Sequence, residues 1–297
     1  MKPFEYLRAS GVDEACKTLA AYSGTCAVIA GGTDLLVALR SRSKRVEHVE
    51  KVLDISKIRD LDFIEDRGNE VAIGPLASHA ALAESRVTRK YAPILAEAAK
   101  TVGSPQIRAR GTVGGNIANA SPAADTIPPL LTLDASINVR STSGERLLPL
   151  AEVFAAPYRT TLRPDEIITE IVFPKPAGRY GHSFIKLGRR KALSISRMNV
   201  AALIGTDDEG TMKDVRIAVG SVMPVPSRVS AVEDLLKGQK LTDDLAREAG
   251  ELMSSEMIRR SGIRWSTEYK APVIKVLTRR AIVQAAKRAM AETMNVS

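Results

Sequence analysis

Apolar positions change their spacing several times along the chain, and each change marks an element. Between Val12 and Ala21, Ala15, Leu19 and Ala20 share one helical face, and Asp13 and Glu14 fill the first turn, where the helix dipole favours acids. The spacing predicts a helix there. Cys26-Ala27-Val28-Ile29-Ala30 is an unbroken apolar run of strand length, ended by Gly31-Gly32. Thr33 or Asp34 can then cap a second helix through Leu39, and Val52-Leu53-Asp54-Ile55 reads as a return strand. The opening unit is therefore strand, glycine turn, helix, strand.

From about residue 57 the pattern becomes longer and more mixed. Val71 to Gly74 reads as a strand, Ser78 caps a helix to Glu84, and Pro93 to Val102 forms a helix burying Ile94, Leu95 and Ala98. Ser136 to Arg140 and Ile167 to Phe173 read as strands, and Pro174 to Gly178 as a linker. Phe184 to Leu187, Val200 to Ile204 and Val215 to Val219 follow as strands, and Ser230 to Leu236, Leu245 to Met253 and Tyr269 to Ala291 as helices. No internal repeat or low-complexity segment interrupts this order. The pattern predicts an α+β chain in three parts, residues 1–56, 57–177 and 178–297.

Composition narrows the class. With 297 residues, 44% hydrophobic and 26% charged, the chain is an ordinary globular one, neither disordered nor collagenous nor disulfide-stapled. No apolar run reaches the ~18 residues that a membrane span needs, and the first residues carry no secretory apolar region. Two cysteines, Cys16 and Cys26, cannot build a metal framework alone and fit a reducing cytoplasm. The net charge of +9 invites a polyanion, but aromatics are only 4%, too few for nucleic-acid stacking platforms. The basic residues are dispersed, with small clusters at Arg40–Arg45 and Arg279-Arg280, which read as solvated or partner-facing surface.

Candidate chemistry concentrates in two glycine turns. Ala30-Gly31-Gly32-Thr33-Asp34-Leu35 follows a strand and opens a helix, so its amides can approach an anion closely. It is neither the dinucleotide fingerprint nor a P-loop, and a tight turn without ligand is the competing reading. Gly111-Thr112-Val113-Gly114-Gly115-Asn116 is the second turn, with Ser121-Pro122-Ala123-Ala124-Asp125 after it. Asp125 suits either a sugar hydroxyl or the cap of the helix before Pro128. Two such turns in one chain suit an extended pyrophosphate held from both sides. His48, His79 and His182 lack metal-binding spacing, and no serine has the context of a hydrolase nucleophile. Trp265 reads as a packing residue between domains, and Lys191 to Ser196 as a loop over a cofactor or a plain turn.

Both glycine motifs in this order, together with Gln106-Ile107-Arg108, Ser121 to Asp125, Phe184 to Arg190 and Arg264 to Tyr269, resemble the FAD-binding medium subunit of the molybdenum hydroxylases. That family includes xanthine, carbon monoxide and nicotinate dehydrogenases, and the resemblance runs over essentially the whole chain. It implies a two-part FAD-binding domain followed by a small α+β C-terminal domain. In the family the first turn wraps the FAD pyrophosphate, which assigns Val28, Ile29, Ala30, Gly31, Gly32, Thr33, Asp34 and Leu35. The second turn meets the cofactor's other side through Thr112, Gly114, Gly115 and Asn116. Val102 and Gly103 take positions packed near FAD, Val102 standing where some relatives carry an aromatic residue. Asp125 matches a position holding sugar hydroxyls, Ile168 an apolar wall, and Lys186 a basic position near the flavin. The four-cysteine insertion of 4-hydroxybenzoyl-CoA reductase is missing, which argues against that enzyme.

The resemblance further implies a molybdopterin-binding large subunit and a small subunit with 2Fe-2S clusters as partners, in a dimer of heterotrimers. Electrons would enter from the clusters and leave to NAD+, a quinone or oxygen, with no catalytic acid or base in this chain. A stand-alone FAD-dependent reductase and a non-redox assembly protein are the alternatives.

Overall fold

The structure is a computed structural model that describes residues 2–190 and 193–291; Lys191 and Ala192, within the Lys191–Ser196 stretch, lie outside the described residues. The first unit is built on β1 (Glu5–Arg8), α1 (Val12–Ala21), β2 (Cys26–Ile29), α2 (Leu35–Arg40) and β3 (Lys51–Asp54). Its sheet runs β1-β3-β2, with both outer strands parallel to β3, so α1 and α2 serve as the crossovers that parallel pairing requires. Ala15, Cys16 and Leu19 of α1 pack on Leu53 and Ile55, and Leu61, Leu76 and Ile167 from beyond the sheet complete that core. The apolar pattern does not reveal β1 because its four residues are mostly exposed.

A five-stranded antiparallel sheet forms the second unit, from β4 (Ile64–Asp66), β5 (Glu70–Ile73), β6 (Ser136–Ser141), β7 (Gly144–Pro149) and β10 (Ile167–Pro174), in the order β4-β5-β10-β6-β7. A two-stranded ribbon, β8 (Phe154–Ala156) and β9 (Arg159–Thr160), precedes β10. Six short helices intervene between β5 and β6: α3 (His79–Glu84), α4 (Arg86–Tyr91), α5 (Pro93–Lys100), α6 (Pro105–Arg110), α7 (Val113–Asn119) and α8 (Ile127–Thr132). Their brevity follows from the sequence. Ser78, Ser85, Ser104 and Thr112 each accept a hydrogen bond from a first-turn amide, and proline opens α5 and α6. Leu82, Ile94, Leu95, Ile117, Ile127 and Leu130 project from these helices into one core with Ile73 and Phe173 of the sheet.

The last unit is an antiparallel sheet of β11 (Tyr180–Leu187), β12 (Met198–Thr206), β13 (Met212–Gly220) and β14 (Ser227–Arg228), covered by α9 (Ser230–Leu236), α10 (Asp243–Ser261) and α11 (Thr267–Ala291). On β12, Val200, Ala202 and Ile204 face those helices, while Ala201 and Leu203 join the core of the second unit. Both faces of β12 are therefore buried, and its near-continuous apolar run is the signature of that position. Helix α10 extends well past the Leu245–Met253 pattern. Thr242 Oγ1 caps its start, and Gly262 with φ 70° closes its end. Trp265, expected to pack between domains, is 92% exposed in the α10–α11 connection. The junction is made instead by small and aliphatic residues of β12 and β13, with Tyr180 and Phe184 alongside.

Candidate functional site

A cavity of about 420 Å³ opens where the first sheet meets the second unit. The whole run Val28 to Leu35 lines it, together with Val102, Thr112, Gly114, Gly115, Asn116 and Ile168. The residues singled out from sequence thus meet in one place, apart from Gly103, Asp125 and Lys186.

The two glycine turns have unlike backbones. In the first, the amides of Gly31, Gly32, Thr33 and Asp34 donate to no protein acceptor among the described residues. Gly31 lies so close to the preceding element of the other turn that a Cβ would stand 1.9 Å from the Arg110 carbonyl oxygen. Gly32 holds φ 75°, a left-handed conformation that glycine adopts without steric cost. Asp34 occupies the N-cap of α2 without a capping side-chain bond; its Oδ1 accepts instead from Asn119 Nδ2 at 3.0 Å.

In the second turn every early amide of α7 is committed. Val113 donates to the Ala77 carbonyl, Gly114 to that of Pro75, Gly115 to Thr112 Oγ1 and Asn116 to the Thr112 carbonyl. A Cβ on Gly114 would meet Pro75 Cβ at 2.4 Å, so glycine here allows close packing of α7 on the segment after β5. This turn therefore has side chains rather than free backbone amides to offer a ligand. It presents a wall, with the Asn116 side chain fixed by donation to Thr126 Oγ1 at 2.7 Å.

Five polar or aromatic residues line the cavity beyond those assigned from sequence: Arg45, His79, Asn119, Tyr158 and Glu166. The Arg45 guanidinium stacks on the Tyr158 ring, 4.1 Å from its centroid, and Nη1 approaches Asn119 Oδ1 at 3.4 Å. Arg45 belongs to the Arg40–Arg45 cluster, which reads from sequence as solvated or partner-facing surface. His79 is 3% exposed, and its Nδ1 has no partner among the described residues. Burial, with help from Arg108, pushes its imidazole down to about 4. Glu166 is buried as well, but hydrogen bonds from Arg146 at 2.7 and 2.8 Å and from the Arg163 amide outweigh that burial and lower its pKa.

Asp125 and Lys186 are not among the lining residues and pair with each other beside Thr101. Lys186 Nζ lies 2.6 Å from Asp125 Oδ2 and donates to the Thr101 carbonyl at 2.8 Å. Asp125 Oδ1 accepts from Ser196 Oγ at 2.5 Å and Asn199 Nδ2 at 3.2 Å. Its carboxylate therefore does not cap α8, whose N-cap is Thr126. Arg108 Nη1 donates to the carbonyls of Val102 and Gly103 at 3.0 and 3.2 Å. The segment from Thr101 to Gly103 is thus held from two sides, which fixes Val102 in the wall.

Comparison with known proteins agrees along the chain. Residues 2–176 match the model of the FAD binding domain in molybdopterin dehydrogenase, and residues 183–285 that of the CO dehydrogenase flavoprotein C-terminal domain. The chain is 32% identical to the nicotine 6-hydroxylase medium subunit of Paenarthrobacter nicotinovorans, over 95% of this chain and 97% of that one. It is 30% identical to the xanthine dehydrogenase FAD-binding subunit of Escherichia coli O157:H7, over 94% and 95% of the two chains. A structure of carbon monoxide dehydrogenase from Hydrogenophaga pseudoflava superposes with a TM-score of 0.90 at 29% identity, covering 96% of this chain and 98% of that one.

Proposed function

The chain belongs to the FAD-binding medium subunits of the molybdenum-containing dehydrogenases, and on that premise we propose that it takes electrons from iron–sulfur clusters in a partner and delivers them to NAD+, a quinone or oxygen. It is an oxidoreductase subunit with FAD as cofactor. The observation that carries the assignment of the site is the row of four amides at Gly31 to Asp34, unpartnered among the described residues and lining a cavity. Such a row fits a diphosphate, since each amide can donate to an anionic oxygen without giving up a bond of the fold. When bound, FAD supplies one- and two-electron exchange.

The protein's own part is to bind and orient. Gly31 to Asp34 hold the diphosphate, and Val28, Ile29, Ala30 and Leu35 form the floor beside it. Thr112, Gly114, Gly115 and Asn116 make the facing wall, and Val102, Gly103 and Ile168 keep water from the apolar side. Asp125 and Lys186 stay in the assignment, for sugar and ring respectively, because Lys186 is bonded to Thr101, the neighbour of cavity-lining Val102. The three units follow the boundaries 1–56, 57–177 and 178–297.

The partners we propose are a molybdopterin-binding large subunit and a small subunit with 2Fe-2S clusters, assembled as a dimer of heterotrimers. The medium-chain and medium-subunit names of the relatives support a larger complex. No helix among the described residues is long and apolar enough to cross a membrane. A cytoplasmic location is proposed on the two free cysteines. Purification of the chain from its native source tests the reading. The expected result is flavin near one per chain, accompanied by chains that carry iron and molybdenum. A colourless protein isolated without metal-bearing partners would overturn it.

A further inference from the structure

We propose that Arg45, seated on the Tyr158 ring, is the cation that recognises the cofactor's diphosphate, so that charge as well as backbone shape selects a dinucleotide flavin at this site. The proposal rests on the FAD reading above. It starts from the charges that face the cavity. Arg45 is the only lysine or arginine among the described lining residues, and it forms no ion pair with any acid of the chain among the described residues. The acids on the same wall are Asp34 and Glu166, and Glu166 is already matched by Arg146, with Arg163 close by. An exposed guanidinium beside Asp34 would ordinarily pair with it. Asn119 prevents this by standing between them, giving its Nδ2 to Asp34 and its Oδ1 to Arg45. The arrangement leaves the positive charge of Arg45 unneutralised next to the four free amides.

Arg45 is also held in place. A guanidinium has five donors, and the single contact at 3.4 Å to Asn119 uses one of them. Its flat face rests 4.1 Å from the Tyr158 centroid, which leaves the donors at its edge for an anion. Tyr158 in turn adopts φ 60°, uncommon for a residue with a side chain, and its amide donates to the Ala120 carbonyl at 2.9 Å. Ala120 follows α7 directly. The ring that supports Arg45 is therefore anchored to the helix of the second glycine turn, whereas Arg45 itself comes from the first unit. The pair spans the cavity mouth from one unit to the other.

Binding of FAD to the full chain stripped of flavin, with ADP as competitor, tests this. One charge-assisted hydrogen bond is worth roughly tenfold to a hundredfold in affinity. Arg45→Ala is expected to raise the dissociation constants of FAD and ADP at least tenfold and to flatten their dependence on salt, because one cation–phosphate contact is lost. Arg45→Lys keeps the salt dependence, since the charge survives. Tyr158→Phe binds like the wild type and Tyr158→Ala more weakly, because the seat is the ring and not the hydroxyl. Arg45 is exposed, so the melting temperature of the stripped Arg45→Ala chain should match the wild type and exclude misfolding as the cause. Dissociation constants within twofold of wild type in Arg45→Ala, with an unchanged salt dependence, would overturn the proposal and leave FAD binding intact. A wild-type chain that takes up no FAD would overturn the underlying reading instead.

Discussion

A Cβ on Gly31 would sit 1.9 Å from the carbonyl oxygen of Arg110, whereas one on Gly32 would meet only the side-chain ends of Ile29 and Leu36 at 3.1 and 3.2 Å. Gly31→Ala should therefore push the two turns apart and empty the site, seen as a flavin-to-protein ratio well below that of the wild type; a ratio equal to wild type would show that the turns have slack. His79 yields a pH effect. Its ordinary pKa of 6.5 falls to about 4 in the folded chain, chiefly through burial. The unfolded chain takes up a proton near pH 6.5 that the folded chain refuses until about pH 4. This contribution to stability is complete above pH 6.5 and is lost as pH falls through that window, by up to ~3 kcal/mol. The urea midpoint of His79→Gln should vary less than that of the wild type between pH 6.5 and 4, and parallel profiles would assign the titration to another group. At this scale the glycine turns were legible because they are local: a strand, two glycines and a helix adjoin in sequence. Arg45 and Tyr158 were not, since 113 positions separate them and the Arg40–Arg45 cluster marks only a basic surface. Which amides are free was hidden as well, because the acceptors that consume those of Gly114 and Val113 belong to Pro75 and Ala77.

Elements were legible where one face carries the apolar residues and hard to see where burial comes from both sides or from neither. Helix α1 and strand β5 show their cores in their spacing; β1, mostly exposed, does not. Helices α6 and α7 were not read from the sequence, because six or seven residues are too few for a period to develop. Helix α11 offers a test of packing. A Cβ on Gly181 of β11 would lie 1.9 Å from the Ala285 carbonyl oxygen and 2.2 Å from the Ala289 amide nitrogen, both in the backbone of α11. Overpacking at a backbone contact cannot be relieved by a rotamer change. Gly181→Ala should lower stability by about 3 kcal/mol, measured by chemical denaturation, and leave the flavin content of the folded fraction near wild type. A loss below about 0.5 kcal/mol would mean that α11 can ride away from the sheet freely.

In the whole molecule, the three units are joined by different means. The first and second share a small apolar core, and the second and third share a broad one through β12 and β13. Polar stitches reinforce the latter join: the Ser221 amide donates to the Pro122 carbonyl at 2.7 Å, and Asp125 gathers Lys186, Ser196 and Asn199. The order of strands within each sheet was not visible in the sequence. The most telling case is β10, the middle strand of five, which pairs with β5 and β6 although it follows both in the chain. Synthesis proceeds from the N-terminus, so β4-β5 and β6-β7 leave the ribosome as two hairpins with a gap between them. Neither edge can close until Ile167–Pro174 arrives, and the wall residues Ile167 and Ile168 arrive with it. Cofactor loading is therefore expected late in the synthesis of the chain, once the strand that completes the sheet is present. Ribosome-stalled chains of increasing length should retain no FAD while they end before Ile167, and should acquire it in one step once β10 is free to pair; gradual retention by shorter chains would show that the glycine turns load before the sheet is finished.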